Sequence, residues 1–171
     1  MLVIKSKKFI LRPFRSTDAE SLAKNINNKK IYRYTSCIPY PYTLKDARDY
    51  LKRIKTQTQK VTKLSLAIVI DNEVVGGVAL DKIIKKHKAE IGYWLAEKYW
   101  GKGIITQAVK LLVSYAFKKL DLKRVYAFVY YSNKASARVL EKAGFKNEGF
   151  LRKHGKKDGK LMDLYMFGKV K

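Results

Sequence analysis

Apolar and polar residues follow one another along this chain in patterns that predict strands and helices. Residues 9–13 read as an opening strand, and its last residue, a proline, ends it. Ser16 or Thr17 can then cap a first helix, because a side-chain oxygen there accepts a hydrogen bond from an unpaired amide of the first turn. The pattern predicts that this helix runs to about Ile26.

A segment rich in proline and tyrosine separates this helix from a second one. Residues 31–42 contain two prolines and four tyrosines, which predicts an ordered loop rather than a linker. The second helix begins after Thr43, which can cap it, and places Ala47, Leu51 and Ile54 on one face.

The middle of the chain predicts an antiparallel meander of three strands. The apolar residues 64–70 and 73–84 flank Asp71 and Asn72, two residue types that tolerate the positive φ angle of a tight two-residue turn. A polar turn then leads to the alternating residues 89–95.

The second half predicts two further helices among the remaining strands. Apolar positions recur with a helical period over residues 104–120, and residues 125–130 form a strand pattern. Asn133 can cap the next helix, and Gly144 stands where a left-handed terminator is expected. Closing strands are expected at residues 145–151 and 161–168. The order of elements predicts a mixed α/β (α+β) sheet.

The composition fits one globular domain over residues 1–171, with 47% hydrophobic residues to build its core. Cys37 is the single cysteine and His87 and His154 are the two histidines, so we predict no intrachain disulfide and no metal site. The sequence shows no apolar stretch of roughly 18 residues and no signal-peptide pattern. We therefore expect a cytoplasmic protein without membrane contact.

Charge is the unusual feature of the composition. The chain has 38 Lys and Arg against 14 Asp and Glu, a net charge of +24, which attracts polyanions. Nucleic acid, the ribosome and a phosphorylated cofactor are therefore candidate partners. The lysines are spread along the whole chain, however, and a solvated surface explains them equally well.

The clearest local signal for a ligand is a glycine loop at the junction of a strand and a long helix. Gly101 and Gly103 precede the helix that begins near Ile104, and Lys98 and Lys102 add positive charge. Such a junction binds phosphate, because the first-turn amides lack helical partners and the helix dipole favours an anion. A simple tight turn is the alternative interpretation.

A second motif carries a family resemblance. After the glycine loop, one helix and one strand further on, come Asn133, Ser136, Glu141-Lys142 and Gly144-Phe145. This arrangement resembles the GNAT acetyltransferase superfamily. Segments that resemble its RimJ/RimL-type branch, which acetylates protein N-termini, are residues 9–14 with Asp18-Ala19, residues 90–93 and residues 148–152.

The resemblance implies a fold, a cosubstrate and a set of contacts. The fold would be a largely antiparallel, splayed sheet of six to seven strands flanked by about four helices. Strands at about 90–96 and 123–130 would part, so that the pantetheine of acetyl-CoA slots between them. The residues that would hold acetyl-CoA are Leu95, Ala96, Lys98, Gly101, Lys102, Gly103, Ile104, Ile105, Thr106, Asn133 and Ser136. Backbone groups near Leu95 and Ala96 would also polarise the thioester carbonyl.

The chain departs from the superfamily at two positions. Lys98 stands where Arg or Gln is usual, and it supplies a point charge without a planar fork. Leu140 stands where many members have the tyrosine that protonates the CoA thiolate, so the resemblance makes Ser136 the candidate acid. Alternatively, Asn133 and Ser136 are merely a helix cap and a first-turn polar residue.

Amine attack also needs a group that removes a proton. Glu90 is the first candidate, because in a strand it shares a face with Gly92, whose missing side chain leaves space beside the carboxylate. The alternative is a glutamate paired with one of the many lysines. Asp163 is the second candidate for the base.

The acceptor amine is expected at the loop of residues 31–42, where the superfamily usually builds its acceptor site. Tyr32, Tyr34 and Tyr40 are candidates to line that cleft, or else they pack the helices and expose their hydroxyls. The first hypothesis is an N-acetyltransferase for protein N-terminal α-amines of the ribosomal-protein type. The alternatives are a polyamine or small-amine acetyltransferase, and a basic RNA-binding module that has lost catalysis; the sequence leaves a homodimer open.

Overall fold

A computed structural model of the chain describes residues 2–59 and 61–171. Within these residues eight strands form one sheet in the order β1-β2-β3-β4-β5-β6-β8-β7. The strands are β1 Ile4–Lys5, β2 Ile10–Pro13, β3 Leu64–Ile70, β4 Glu73–Ile84, β5 Lys88–Leu95, β6 Arg124–Tyr130, β7 Lys146–Lys157 and β8 Lys160–Val170. Neighbouring strands are antiparallel except β5 and β6, which are parallel.

Five α-helices and two 3₁₀ turns accompany the sheet in the same described residues. The helices are α1 Ala19–Ile26, α2 Lys29–Arg33, α3 Leu44–Gln59, α4 Ile104–Lys119 and α5 Lys134–Lys142, and the turns are Ser16–Asp18 and Glu97–Tyr99. The mixed, largely antiparallel fold is the one expected. The strand and helix numbers exceed the expectation through two short elements, β1 and α2.

The loop expected over residues 31–42 begins inside a helix. The Asn28 side chain accepts hydrogen bonds from the amides of Lys30 and Ile31 and so caps α2. Ile31 is the buried residue of this helix. Five helical residues are too few to show a helical period, which is why the sequence pattern does not reveal α2.

The helices cover the two faces of the sheet. Helices α4 and α5 pack on one face, where Leu112 and Leu140 are fully buried with Ile91 of β5. Helices α1, α2 and α3 form a second core on the other face, against which Trp94 of β5 packs. Alternation along β5 therefore sends Ile91 and Trp94 to opposite sides.

The sheet opens between its two parallel strands. In the described chain β5 and β6 pair from Lys88 and Arg124 as far as Glu90 and Tyr126. Beyond that point β5 continues to pair with β4 up to Leu95, whereas β6 pairs with β8 up to Tyr130. The two strands thus part at one end, as the splayed sheet requires. Among the described residues, none forms a helix both long and apolar enough to span a membrane.

Candidate active site

A cavity of about 940 Å³ runs through the gap between β5 and β6. On one side its wall includes Gly101 and Gly103 of the glycine loop, and on the other it includes Tyr34 and Cys37 of the segment after α2. Residues near the ends of β5 and β6, such as Phe128, line the middle. The cavity therefore joins the predicted phosphate site to the predicted acceptor site.

The glycine loop has the backbone conformation that glycine favours. Gly101 has φ 75° and Gly103, the residue before α4, has φ 73°. A Cβ at either position would meet none of the described atoms within 4 Å, so the loop surface is open. The amide of Gln107 makes the first helical hydrogen bond, to the Gly103 carbonyl, which leaves the amides of Ile104, Ile105 and Thr106 for a ligand.

Lysines surround this loop. The ammonium groups of Lys98 and Lys102 lie 5.0 and 5.4 Å from the centre of the Tyr99 ring. Lys98 is also 3.7 Å from a Glu73 carboxylate oxygen. Lys8, which the sequence pattern did not single out, donates to the Lys102 carbonyl at 3.1 Å. Three cations thus flank a helix N-terminus that itself favours an anion.

The backbone around Leu95 has both engaged and outward-facing groups. The Ala96 amide donates to the Val75 carbonyl at 2.8 Å, and the Trp100 indole donates to the Leu95 carbonyl at 2.7 Å. Because hydrogen-bonded and non-hydrogen-bonded positions alternate in an antiparallel pair, the backbone groups of Tyr93 and Leu95 point away from β4, toward the gap.

Asn133 and Ser136 occupy the first turn of α5, beside the cavity. The Asn133 side chain accepts the Ser136 amide at 3.1 Å and caps the helix. The Ser136 Oγ lies 2.8 Å from the hydroxyl of Tyr93, which is also 3.2 Å from the Ser136 carbonyl. Burial raises the pKa of the Tyr93 phenol, and the Ser136 hydrogen bond offsets this only in part, so Tyr93 stays protonated at neutral pH.

Glu90 lies in the cavity wall where the two strands begin to part. Its carboxylate forms an ion pair with Lys82 at 2.7 Å, and its side chain is 24% exposed. A Cβ built on Gly92 would meet none of the described atoms within 4 Å, so there is space beside Glu90 on the same face. The open position expected beside a catalytic Glu90 and the lysine partner of the alternative interpretation are therefore both present.

The other acid proposed as a base has a different environment. Asp163 accepts the Lys153 amide at 2.7 Å, beside an irregularity in the β7–β8 pairing, and it is not part of the described cavity lining. The acids that do line the cavity besides Glu90 are Asp46, Asp49 and Asp81. Cations share that lining, and Asp81 pairs with Lys63 at 2.6 Å.

The three predicted acceptor tyrosines do not lie together. Tyr34 lines the cavity. The Tyr32 hydroxyl donates to Asp158 in the β7–β8 turn, and the Lys157 ammonium lies 3.3 Å from the centre of the Tyr32 ring. Tyr40 packs against Tyr32 with ring centres 5.8 Å apart. Tyr32 therefore joins α2 to the β7–β8 turn, and neither Tyr32 nor Tyr40 belongs to the described lining of the cavity.

A sequence match to a family model identifies the class of protein to which this site belongs. Residues 8–146 match the sequence model described as "Acetyltransferase (GNAT) domain". This chain belongs to the GNAT acetyltransferase family. Its membership makes the chain an N-acetyltransferase by class and agrees with the resemblance found in the glycine loop and the Asn133 motif.

Individual GNAT relatives match over most of their length. The uncharacterized N-acetyltransferase p20 of Bacillus licheniformis is 30% identical over 174 residues, covering 100% of this chain and 97% of the relative. The spermidine N(1)-acetyltransferase of Escherichia coli (strain K12) is 31% identical over 142 residues, covering 82% of this chain and 74% of the relative. The structure of RimL, a ribosomal L7/L12 alpha-N-protein acetyltransferase in complex with coenzyme A, superposes with a TM-score of 0.91 at 23% identity. The match covers 99% of this chain and 98% of RimL.

Proposed function

We propose that this GNAT enzyme transfers the acetyl group of acetyl-CoA directly to a protein N-terminal α-amine, with a ribosomal-protein type of substrate. The observation that carries the proposal is the continuous cavity through the splayed sheet. It gives a phosphate-bearing cosubstrate and an acceptor amine separate approaches to one meeting point between β5 and β6.

The glycine loop and its lysines fit the pyrophosphate of acetyl-CoA. The first-turn amides of Ile104, Ile105 and Thr106 supply hydrogen bonds, and Lys98 and Lys102 supply charge. The outward-facing amide of Leu95 and the backbone groups of Tyr93 fit the amide groups of pantetheine, whereas the Leu95 carbonyl already accepts the Trp100 indole. Bound acetyl-CoA supplies the acetyl group in activated form, as a thioester.

Glu90 and Ser136 are proposed to move the protons of the reaction. Glu90 takes a proton from the acceptor ammonium, directly or through water, so that the amine nitrogen can form its bond to the acetyl carbon. As the carbon–sulfur bond breaks and its electron pair goes to sulfur, Ser136 gives its hydroxyl proton to the sulfur. A proton released by the amine then returns to Ser136 through water, so that the products are an amide, a free thiol and one proton.

The positions of the acids favour Glu90 over Asp163 as the base. Glu90 lines the cavity near an open position at Gly92, whereas Asp163 is occupied by a backbone amide outside the cavity lining. The Lys82 ammonium occupies the Glu90 carboxylate where an acceptor ammonium would bind. Lys82 therefore has to move aside, or a water has to relay the proton.

A polyamine acceptor is the second candidate, and a specific observation supports it. Four of the fourteen acids of this cationic chain, Asp46, Asp49, Asp81 and Glu90, line the cavity. Arg53, Lys63 and Lys82 line it as well, and two of the acids are ion-paired with them. Because the cations largely cancel the acids, we favour a peptide terminus over a polycation.

Release of thiol from acetyl-CoA tests the proposal. Purified protein is supplied with peptides that begin with Ala, Ser or Met, and in parallel with spermidine. We expect release with at least one peptide, and a loss of kcat/KM on the order of a hundredfold in Glu90→Gln and in Ser136→Ala. Asp121→Asn, a carboxylate change outside the described cavity lining, serves as the control and should retain activity.

Other results would redirect the assignment. Release with spermidine and not with any peptide would replace the N-terminal acceptor by a polyamine. An inactive Asp163→Asn variant together with an active Glu90→Gln variant would move the base to Asp163. Binding of RNA without any binding of acetyl-CoA would favour the non-catalytic RNA-binding hypothesis.

A further inference from the structure

We propose that Tyr93 is a positioning residue for Ser136, whose hydroxyl it holds toward the gap between β5 and β6. The proposal rests on the proposed function, in which Ser136 is the acid. Tyr93 itself carries no proton to the substrate. Its effect is to keep the Ser136 side chain in the orientation from which the Ser136 proton can reach the sulfur of the cosubstrate.

The contact joins strand β5 to helix α5 beside the gap between β5 and β6. Tyr93 lies on β5, three residues beyond Glu90, where pairing with β6 has already ended. Its hydroxyl meets Ser136 on α5 at 2.8 Å from Oγ and 3.2 Å from the carbonyl oxygen. Both residues line the cavity. A strand and a helix that are 43 residues apart in sequence thus meet at one hydroxyl.

A serine needs such a partner in order to act as a directed donor. Its hydroxyl has one hydrogen and can accept two hydrogen bonds, and by itself it rotates between staggered orientations. Either hydroxyl can be the donor in the 2.8 Å contact, and the Tyr93 hydroxyl also donates to the Ser136 carbonyl oxygen at 3.2 Å. In the proposed arrangement the Tyr93 hydrogen is shared between that carbonyl oxygen and Oγ, so that it fills one acceptor position of Oγ. The serine hydrogen then remains available for a second atom, which would be the sulfur of bound acetyl-CoA.

The environment of Tyr93 keeps its hydroxyl hydrogen available for donation. The ring is partly buried in the core beside α5, and this burial raises the pKa of the phenol, so the hydroxyl retains its hydrogen at neutral pH. The Asn133 side chain holds the backbone of the same turn by accepting the Ser136 amide. Asn133 and Tyr93 therefore fix the backbone and the side chain of Ser136 respectively.

The helix supplies no second hydroxyl at the place where one is common in the superfamily. Seven residues after Asn133 stands Leu140, which is fully buried in the core beneath α5. The hydroxyl next to Ser136 comes instead from the facing strand. This arrangement makes the Tyr93 contact a feature that the α5 sequence does not reveal.

A double-mutant cycle tests the positioning role. Tyr93→Phe removes one oxygen and keeps the ring, and Ser136→Ala removes the proposed acid. We expect Tyr93→Phe to lower kcat on the order of tenfold with little change in the KM for acetyl-CoA. In the Ser136→Ala background the same change should have almost no further effect, because no hydroxyl remains to be oriented. Tyr115→Phe on α4, outside the cavity lining, is the matched control.

Several outcomes would overturn the proposal. Tyr93→Phe as active as Tyr115→Phe would show that the contact is catalytically neutral. An equal loss in the wild-type and Ser136→Ala backgrounds would show that Tyr93 acts independently of Ser136, as a purely structural residue would. Wild-type protein without any thiol release would remove the proposed function first, whereas an active wild type with an unaffected Tyr93→Phe variant would remove this inference alone.

Discussion

At the scale of single residues, a buried ion pair joins Asp18 to Arg12. The two oxygens of Asp18 each accept a guanidinium N–H of Arg12 at 2.8 Å, and the Arg15 amide donates to the same carboxylate at 2.7 Å. Asp18 is 5% exposed and Arg12 is 9% exposed. These bonds fasten the start of α1 to the end of β2, next to the second core.

Removal of the Asp18 charge should therefore lower the stability of the fold strongly. We expect Asp18→Asn to lower the free energy of unfolding by about 3 to 5 kcal/mol, because the Arg12 cation stays buried without its counter-charge. Glu73→Gln, which loosens an exposed pair with Lys24, should lower the free energy of unfolding far less, because exposed ion pairs contribute little to stability. Urea denaturation of both variants measures the difference. Equal costs for the two would mean that the buried pair contributes no more than a surface pair.

The sequence indicated individual site residues better than it indicated their contacts. Glu90, Gly92 and Ser136 stand in local patterns, namely strand alternation and a helix cap, and they are found where those patterns placed them. The Tyr93–Ser136 contact spans 43 residues and depends on how α5 docks against β5. The periodicity of a single segment does not contain that information. Nor does it show that Tyr34 lines the cavity whereas Tyr32 contacts the β7–β8 turn.

At the scale of elements, the turn that starts α4 depends on backbone conformation. Gly103 adopts a left-handed conformation, with φ 73°, immediately before the helix. Because no described atom lies within 4 Å of the position of its missing Cβ, a side chain there would meet a conformational cost and not a steric clash with its neighbours.

Replacement of this glycine should weaken the cosubstrate site. We expect Gly103→Ala to lower the free energy of unfolding by about 1 kcal/mol and to raise the Kd for acetyl-CoA, because the loop then resists the conformation that aims the first-turn amides. Gly149→Ala, at a similarly open position on β7, is the control. Calorimetric titration with acetyl-CoA checks both variants. An unchanged Kd in Gly103→Ala would mean that the loop does not hold the cosubstrate.

Long amphipathic elements were predictable, and short or highly charged ones were not. Helix α4 buries Leu112 and Val113 with the expected period, and its observed bounds match the predicted ones within one residue. Strand β7 extends to Lys157, six residues beyond the predicted end, through a lysine-rich stretch without apolar alternation. Pairing with β8 holds this lysine-rich stretch in a strand. Because β7 is an edge strand, its two irregularities and several cations disfavour pairing with a sheet of another molecule.

At the scale of the whole molecule, positive charge is the dominant property. The chain has 38 basic and 14 acidic residues, so acidic side chains can neutralise only a minority of the cations. The parting of β5 and β6 is a second whole-molecule property, and it could be anticipated only through the family resemblance. Hydrophobic patterns predict which residues form strands, whereas the point at which two strands stop pairing is set by the layers packed on them.

The surplus charge predicts an affinity for RNA that depends on salt. We expect a ribosomal RNA fragment to bind at 50 mM KCl and to lose at least about tenfold in affinity by 200 mM, because binding releases the counterions of the phosphates. Fluorescence anisotropy with labelled RNA measures this, with acetylation activity followed at the same salt concentrations. If the RNA does not bind at 50 mM KCl, the surplus lysines serve only to keep the surface solvated.

Cys37 lies exposed in the cavity wall after α2, and it is the one cysteine of the sequence. A maleimide dye would therefore attach at a single, known position beside the proposed acceptor approach, and its fluorescence should report an arriving peptide without any engineering of the chain. The same thiol would also consume one equivalent of a colorimetric thiol reagent. Any assay that counts liberated coenzyme A must subtract that constant contribution.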